Sequence, residues 1–260
     1  MIQWLQLKNG NWAAAQKGCK GPFTEEGIIE GTIPQYIKEE TDPTFIEVTD
    51  LTYLLYNCTE LKAMPKIPTT VRIMNNTFLE CNNLVETTTI PNSVIDMTNT
   101  FSECTNLKTV FNIPESAKIL SGTFFDCSSL TKIPNIPNSV VELGFTFFGC
   151  TSLTSIPNIP NRVENKEQTF YNCTSLTTVP EIPSSVTNMR ETFSGCSSLN
   201  GTITINANLS GAIISGDKND YYAIFWNSAT AEGCEIKLTG TCPMLENIVQ
   251  NTNRSNITLL

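Results

Sequence analysis

Cysteines carry most of the reactive chemistry in this chain, and most of them recur at one spacing. The 260-residue sequence contains ten cysteines, and seven of them follow one another at intervals of 23 residues. A thiol can act as a nucleophile, bind a metal ion or form a disulfide. The seven regularly spaced residues are Cys58, Cys81, Cys104, Cys127, Cys150, Cys173 and Cys196.

Catalytic use of these thiols is not expected, because the chain contains no histidine. Histidine is the commonest general base and the imidazole metal ligand, so Ser-His-Asp and Cys-His mechanisms are excluded. The sequence also has no Gly-rich phosphate loop and no metal-ligand spacing. We therefore predict a protein that is not an enzyme and that uses no metal or cofactor.

The charge and hydropathy of the chain bear on its partners. The formal net charge is −9, which repels phosphate backbones, so nucleic acid is not an expected partner. No stretch approaches the roughly 20 apolar residues that span a bilayer, so membrane insertion is not expected either. The first residues lack the basic start and continuous apolar run of a signal peptide.

The cysteines belong to a larger repeat with several apolar positions. In each of the last six copies, a Thr-Phe pair precedes the cysteine, with the phenylalanine three residues before it. A leucine lies three residues after each of the seven cysteines, and in six copies an Ile-Pro pair follows that leucine. The phenylalanines are Phe78, Phe101, Phe124, Phe147, Phe170 and Phe193, and the prolines are Pro68, Pro91, Pro114, Pro137, Pro160 and Pro183. A 23-residue unit cannot bury its own apolar side, so it must stack on its neighbours.

The repeat extends beyond the visible cysteines. Leu55 takes the phenylalanine position one unit before Phe78, and Phe225 follows Phe193 by one repeat plus nine residues, with Ile248 another 23 residues on. We place the nine-residue insertion in residues 206–220 and count about nine coils, a coil being one repeat unit. The predicted divisions are an N-terminal cap or attachment segment (1–44), regular repeats (45–205), and an insertion with two degenerate repeats and a C-terminal cap (206–260).

The pattern predicts that each repeat consists of short extended segments joined by turns. The Ile-Pro pair should end a strand, because proline cannot donate to a ladder, and Thr-Phe-x-x-Cys suits a helical or 3-10 turn. Equivalent cysteines would lie about 4.8 Å apart, a distance that permits disulfides. An odd set of seven cannot pair fully, so a buried row of thiols is favoured. A bridge between Cys234 and Cys242 remains open.

These units resemble a known family. Gly149-Cys150-Thr151-Ser152-Leu153-Thr154-Ser155-Ile156-Pro157 and Ser184-Ser185-Val186-Thr187-Asn188-Met189 are similar to BspA-type leucine-rich repeats, clearly over 45–205 and weakly over 221–260. The resemblance implies a right-handed leucine-rich-repeat solenoid with short parallel strands. It also implies adhesion or protein binding at an extracellular or cell-surface location, without a known active site. The sequence departs from the common pattern by a proline two residues before Ile-Pro at Pro65, Pro134, Pro157 and Pro180.

Residues 1–44 do not fit the repeat. An open solenoid end exposes core and a strand edge, so these residues are expected to form a cap, with a possible extra strand at 27–34. The other interpretation is a segment that attaches the repeats to a larger particle. At the opposite end, residues 245–260 are expected to close the last coil.

Removing the core positions leaves two solvent-facing stripes that could bind a partner. From the strand after each leucine we select Phe111, Asn112, Lys132, Asn135, Asn158 and Glu181. From the position after the repeated phenylalanine we select Phe125, Phe148 and Tyr171. The alternatives are that the polar residues are merely solvated and that the aromatic rings fold over the edge of the core.

Two functions follow from this organisation. The first is a binding or adhesion module that presents an extended repeat surface to a protein or glycan. The second is a structural spacer or assembly component, for example in a phage tail or surface fibre.

Overall fold

The described residues form a stack of coils joined mainly by turns and short parallel bridges. The computed structural model describes residues 4–6, 12–14, 36–38, 45–59, 61–207, 209, 222–243, 245–252 and 255–260. Its strands are β1 (Trp4–Gln6), β2 (Trp12–Ala14), β3 (Tyr36–Lys38), β4 (Phe45–Glu47), β5 (Gly201–Thr204), β6 (Ile236–Thr239) and β7 (Ile257–Leu259).

 The only α-helix among the described residues is α1 (Leu245–Thr252), and a 3-10 helix covers Tyr222–Phe225.

The N-terminal strands pair locally. β1 pairs antiparallel with β2, and β3 pairs antiparallel with β4. The strand expected at 27–34 and most of the insertion expected at 206–220 lie outside the described residues. The assignment of residues 1–44 to a cap or to an attachment segment therefore stays a prediction.

Parallel bridges join consecutive coils in the repeat region. One row of bridges lies two residues after the buried valine or alanine of each coil. The bridged residues are Asp50, Ile73, Asp96, Ile119, Glu142, Asn165 and Asn188. Shorter rows link Glu86 to Thr109 and Ser155 to Thr178. The predicted parallel pairing is thus confirmed. In this region the strand pairing between coils consists of isolated bridges.

The Thr-Phe-x-x-Cys segment forms consecutive turns in place of the expected helical turn. Within one coil, Thr77 N–H donates to Met74 and Cys81 N–H donates to Phe78, whereas Phe78 N–H donates to Thr100 of the next coil at 2.8 Å. Asn76 has a φ of 54°, which interrupts right-handed helical geometry. The alternation of bonds within and between coils holds neighbouring coils together at this corner.

The threonine before each phenylalanine stabilises the same corner. Thr123 is fully buried, and its hydroxyl lies 2.8 Å from the carbonyl oxygens of both Leu120 and Met97, the latter in the preceding coil. Thr146 repeats the arrangement with Leu143 and Leu120. A buried hydroxyl without a partner would be costly, so this bonding accounts for threonine at the position.

Stacked phenylalanine rings run through the centre of the core. Neighbouring ring centroids are 5.3 to 5.8 Å apart from Phe78 to Phe225, and the rings are nearly parallel. Phe193 stacks on Phe225 at 5.6 Å, as the sequence predicts for one repeat plus nine residues. Leu55 is buried at the start of the same column.

The regularly spaced cysteines form a second buried column. From Cys81 to Cys196, each Sγ lies 3.1 Å from a carbonyl oxygen of the preceding coil, Leu55 for Cys81 and a repeated phenylalanine for the others. All six are free thiols, and burial raises their pKa values, to about 12 for Cys196. The predicted row of thiols is therefore confirmed for six positions.

Cys58 is an exception to the row. It is disulfide-bonded, and its partner lies outside the described residues. The interpretation of all seven regularly spaced cysteines as thiols was therefore wrong at this position, because a 23-residue spacing does not show whether a cysteine outside the row pairs with one of its members. Cys234 and Cys242 are both thiols, so the bridge left open between them is not formed.

The C-terminal part continues the stack with longer strands. β5, β6 and β7 (Ile257–Leu259) form a parallel sheet in that order, with Gly201 opposite Ile236 and Ile236 opposite Ile257. Ile248 is buried on α1, which packs against the 3-10 helix and β7. Leu245, Ile248 and Ile257 thus belong to the core, and the assignment of residues 245–260 to a C-terminal cap stays a prediction.

One charged residue interrupts the apolar core. Lys166 is fully buried at the position that Leu143 and Met189 occupy in the neighbouring coils, and its Nζ has no hydrogen-bond partner among the described residues. Burial lowers the pKa of this amine well below its usual range.

Candidate functional site

A polar groove opens at the Ile-Pro corner of three successive coils. It has a volume of about 650 Å³, and we call it the Asn-Pro groove. Its lining comprises Glu115, Asn135, Ile136, Pro137, Asn138, Asn158, Ile159, Pro160, Asn161, Glu181 and Pro183. The 23-residue period places equivalent residues side by side, so the groove presents the same Asn-Ile-Pro-Asn sequence twice in succession.

Prolines flank the backbone N–H groups of the groove, and these N–H groups are unbonded among the described residues. Pro134 and Pro137 flank Asn135 and Ile136, and neither proline has an N–H to donate to a neighbouring coil. The N–H groups of Asn135 and Ile136 form no hydrogen bond with the described residues either. Two coils after Ile136, the N–H of Ile182 donates to the C=O of Thr204 at 2.8 Å although Pro180 and Pro183 flank this position in the same way.

Asparagine side chains at one repeat position behave in two ways. Asn112 is half-buried, and its amide bonds the backbone N–H and C=O of Ile90 at 2.8 and 2.9 Å. Asn135 and Asn158 are exposed, and their side chains form no hydrogen bond with the described part of the chain. Each of these two follows a proline, whereas Asn112 follows Phe111.

The second asparagine of each Asn-Ile-Pro-Asn sequence also presents a side-chain amide that no described residue bonds. Asn138 and Asn161 are exposed, and their side-chain amides are also without a hydrogen bond to the described residues. An amide group supplies two donors and an acceptor with two lone pairs. Four such amides, together with the unbonded backbone groups, leave the groove rich in hydrogen-bonding capacity that no described residue uses.

Carboxylates occupy both ends of the groove. Glu181 Oε1 accepts a hydrogen bond from the Asn206 amide at 2.5 Å, which fixes that side chain at one end. Glu115 is exposed at the other end. The described residues that line the groove include these two carboxylates and no lysine or arginine.

The structure brings together three of the residues selected from the sequence. Asn135, Asn158 and Glu181 line the Asn-Pro groove. Phe111 is 67% exposed at the position that Pro134 occupies in the next coil, so it lies beside one end of the groove. Lys132 is exposed but is not among the lining residues.

The three aromatic residues of the second stripe form a separate stack. The ring centroids of Phe125 and Phe148 are 4.6 Å apart, as are those of Phe148 and Tyr171. All three rings are half-buried, consistent with side chains that fold over the edge of the core. Next to them, burial and the charges of Glu80 and Asp126 raise the pKa of Glu103.

Sequence reasoning missed Asn138, Asn161 and Glu115. They follow the Ile-Pro pair, where the sequence predicts a turn, and polar residues are common in solvated turns. The signal that identifies them is the Pro-Asn-Ile-Pro-Asn sequence, which occurs at 134–138 and again at 157–161. Two successive copies place five matched positions side by side in neighbouring coils.

Metal-binding clusters and membrane-spanning helices are absent from the described residues. These residues contain no group of three or more His, Cys, Asp or Glu side chains arranged to hold a metal ion. No helix in this part of the chain is long and apolar enough to cross a bilayer.

Comparison with known proteins identifies the repeat. The model of the BspA type leucine rich repeat region matches in six copies, over residues 47–146 and 134–213. A search of curated protein sequences finds no significant match.

Three solved structures are similar to this chain. A leucine-rich repeat protein from Bacteroides ovatus is 20% identical, with a TM-score of 0.48, covering 100% of this chain and 75% of that one. The T. pallidum leucine rich repeat protein is 17% identical, with a TM-score of 0.41 and coverages of 78% and 82%. A leucine rich cell surface protein from Faecalibacterium prausnitzii is 24% identical, with a TM-score of 0.45 and coverages of 68% and 47%.

Proposed function

Because the chain belongs to the BspA-type leucine-rich repeat family, we propose that it is a non-catalytic binding module whose ligand site is the Asn-Pro groove. The observation that carries the proposal is the set of four exposed asparagine amides without a hydrogen bond to the described residues. Repeat proteins commonly bind along an extended face, because equivalent side chains recur at each coil. The partner would be a protein or glycan.

The proposal includes a location at the cell surface. The disulfide of Cys58 supports it, since disulfides persist in oxidising environments and are rare in the cytosol. A right-handed stack of about nine coils is also part of the proposal, supported by the strong preference of parallel crossovers for that hand.

An array of extracellular proteins and glycans tests the binding function. The purified chain is expected to give hits that the double variant Asn135→Arg/Asn158→Arg loses, because two long side chains would fill the groove. The matched control is Thr89→Arg, at the same repeat position two coils before Asn135, where the threonine is exposed. A wild-type chain that binds nothing would instead favour the structural spacer or assembly role.

A further inference from the structure

The free hydrogen-bonding groups of the groove indicate the chemical class of its ligand. We propose that the Asn-Pro groove binds an uncharged glycan, with successive sugars lying against successive coils. This inference rests on the proposed binding function and adds the ligand class.

Hydroxyl groups match what the groove offers. Each sugar hydroxyl both donates and accepts, so it can bond an asparagine C=O and an asparagine NH₂. Asn135 and Asn158 supply one such pair of amides. Asn138 and Asn161, each three residues further along its coil, supply a second pair. A polymer of similar units suits a site in which the same polar groups recur at the coil spacing of about 4.8 Å.

Apolar surface beside the amides suits the C–H faces of sugar rings. Pro137 and Pro160 lie between the two asparagine rows but are buried, so Phe111 provides the exposed apolar surface beside the amides. Phe111 exposes most of its ring at the adjacent coil, where an apolar sugar face can cover it. Glycan rings combine hydroxyl edges with C–H faces, which corresponds to this arrangement of amides and apolar surface.

Charge argues against anionic ligands. Glu115 and Glu181 lie at the two ends of the groove, and the described lining contains no basic side chain. The whole chain carries a formal charge of −9. Sulfated or sialylated glycans and nucleic acids would therefore be repelled.

Backbone geometry argues against an extended peptide. A peptide that adds to a strand needs a continuous edge of N–H and C=O groups. Pro134, Pro137, Pro157 and Pro160 remove the N–H at four positions around Asn135 and Asn158, so the edge is interrupted. The groove provides isolated polar groups, which suit hydroxyls better than a peptide backbone.

The test compares a mannan, a neutral β-glucan and a xylan with heparin and an oligolysine peptide as immobilised probes. We expect the wild-type chain to bind at least one neutral polysaccharide. Asn135→Ala/Asn158→Ala should weaken that binding at least about tenfold, because it removes two amides that the ligand would bond. Phe111→Ala should also weaken it, and the control Thr89→Ala should not.

Several outcomes would overturn the glycan assignment. Groove-dependent binding of heparin alone or of oligolysine alone would show a different ligand class while leaving the binding function intact. The same holds if all polysaccharides fail but the protein array still gives hits that the arginine variants abolish. Neutral glycan binding that the alanine double variant retains at full strength would remove the groove from the proposal. Unchanged thermal unfolding of the double variant confirms that it is folded.

Discussion

The side-chain amide of Asn112 bonds both backbone groups of Ile90, accepting from its N–H at 2.8 Å and donating to its C=O at 2.9 Å. These two hydrogen bonds join neighbouring coils at an Ile-Pro corner, and no parallel bridge involves Ile90 or Asn112 among the described residues. Asn135 occupies the same position one coil later and makes no such bond. The difference accounts for a closed corner at Asn112 and an open groove at Asn135.

Asn112→Ala is expected to destabilise the protein by about 1–3 kcal/mol, because it leaves two backbone groups of a buried residue without partners. Asn135→Ala is the matched variant and should change the free energy of unfolding by less than about 0.5 kcal/mol. Urea unfolding of both variants beside the wild type measures the difference. Equal losses would show that the two asparagines have the same structural role.

Phe147→Ala is expected to cost about 3–5 kcal/mol, as for other buried aromatic truncations. The ring is fully buried and stacks on Phe124 and Phe170, both at 5.5 Å. The neighbouring Phe148 is half-buried, so Phe148→Ala should cost clearly less. Chemical denaturation checks both variants, and a loss under 1 kcal/mol for Phe147→Ala would contradict the core assignment.

The 23-residue period alone predicts the core. It places Phe225 correctly after a nine-residue insertion, because stacking requires an apolar ring at that depth whatever the loop length. Lys166 lies at the repeat position of the buried Leu143 and Met189, and burial of its amine there is contrary to the usual preference of lysine for solvent.

The groove could be predicted only in part. Asn135 and Asn158 were visible as polar residues on an outward stripe. Whether an asparagine bonds the neighbouring coil or faces solvent depends on the local backbone path, and a preceding proline restricts that path. The disulfide of Cys58 could not be predicted from spacing, because its partner is not part of the 23-residue row.

Lys166→Met is expected to stabilise the protein by about 1–3 kcal/mol at pH 7, because it removes a buried amine without a hydrogen bond. Methionine is the residue at the equivalent position of the next coil, Met189, and it is buried there. The exposed Lys118 provides the control, and Lys118→Met should have little effect. Urea unfolding gives the comparison.

The pH dependence of the Lys166 effect has a definite sign. Its folded-state pKa lies well below the ordinary value of 10.5, so the unfolded chain binds more protons between the two values. The contribution of this residue to stability therefore rises with pH until about 10.5. The advantage of Lys166→Met should shrink between pH 7 and pH 10, and an advantage that does not change with pH would contradict a neutral buried amine.

The buried thiols should act in the opposite direction at alkaline pH. Burial raises the pKa of Cys196 from 9.0 to about 12, so between these values the native state retains a proton that the unfolded chain loses. The stability that this thiol contributes is complete below pH 9.0 and falls as the pH rises toward about 12. Cys196→Ala removes this titration and the contact of Sγ with the Phe170 carbonyl oxygen at 3.1 Å.

At pH 7 we expect Cys196→Ala to cost about 1 kcal/mol, a loss much smaller than that of Phe147→Ala. The difference in unfolding free energy between wild type and variant should then narrow as the pH is raised above 9.0. A reducing agent can open the disulfide of Cys58, so it is added to both proteins and only their difference is compared. A difference that reductant changes would mean that Cys196 is oxidised in the native protein, whereas a constant difference supports the free thiol.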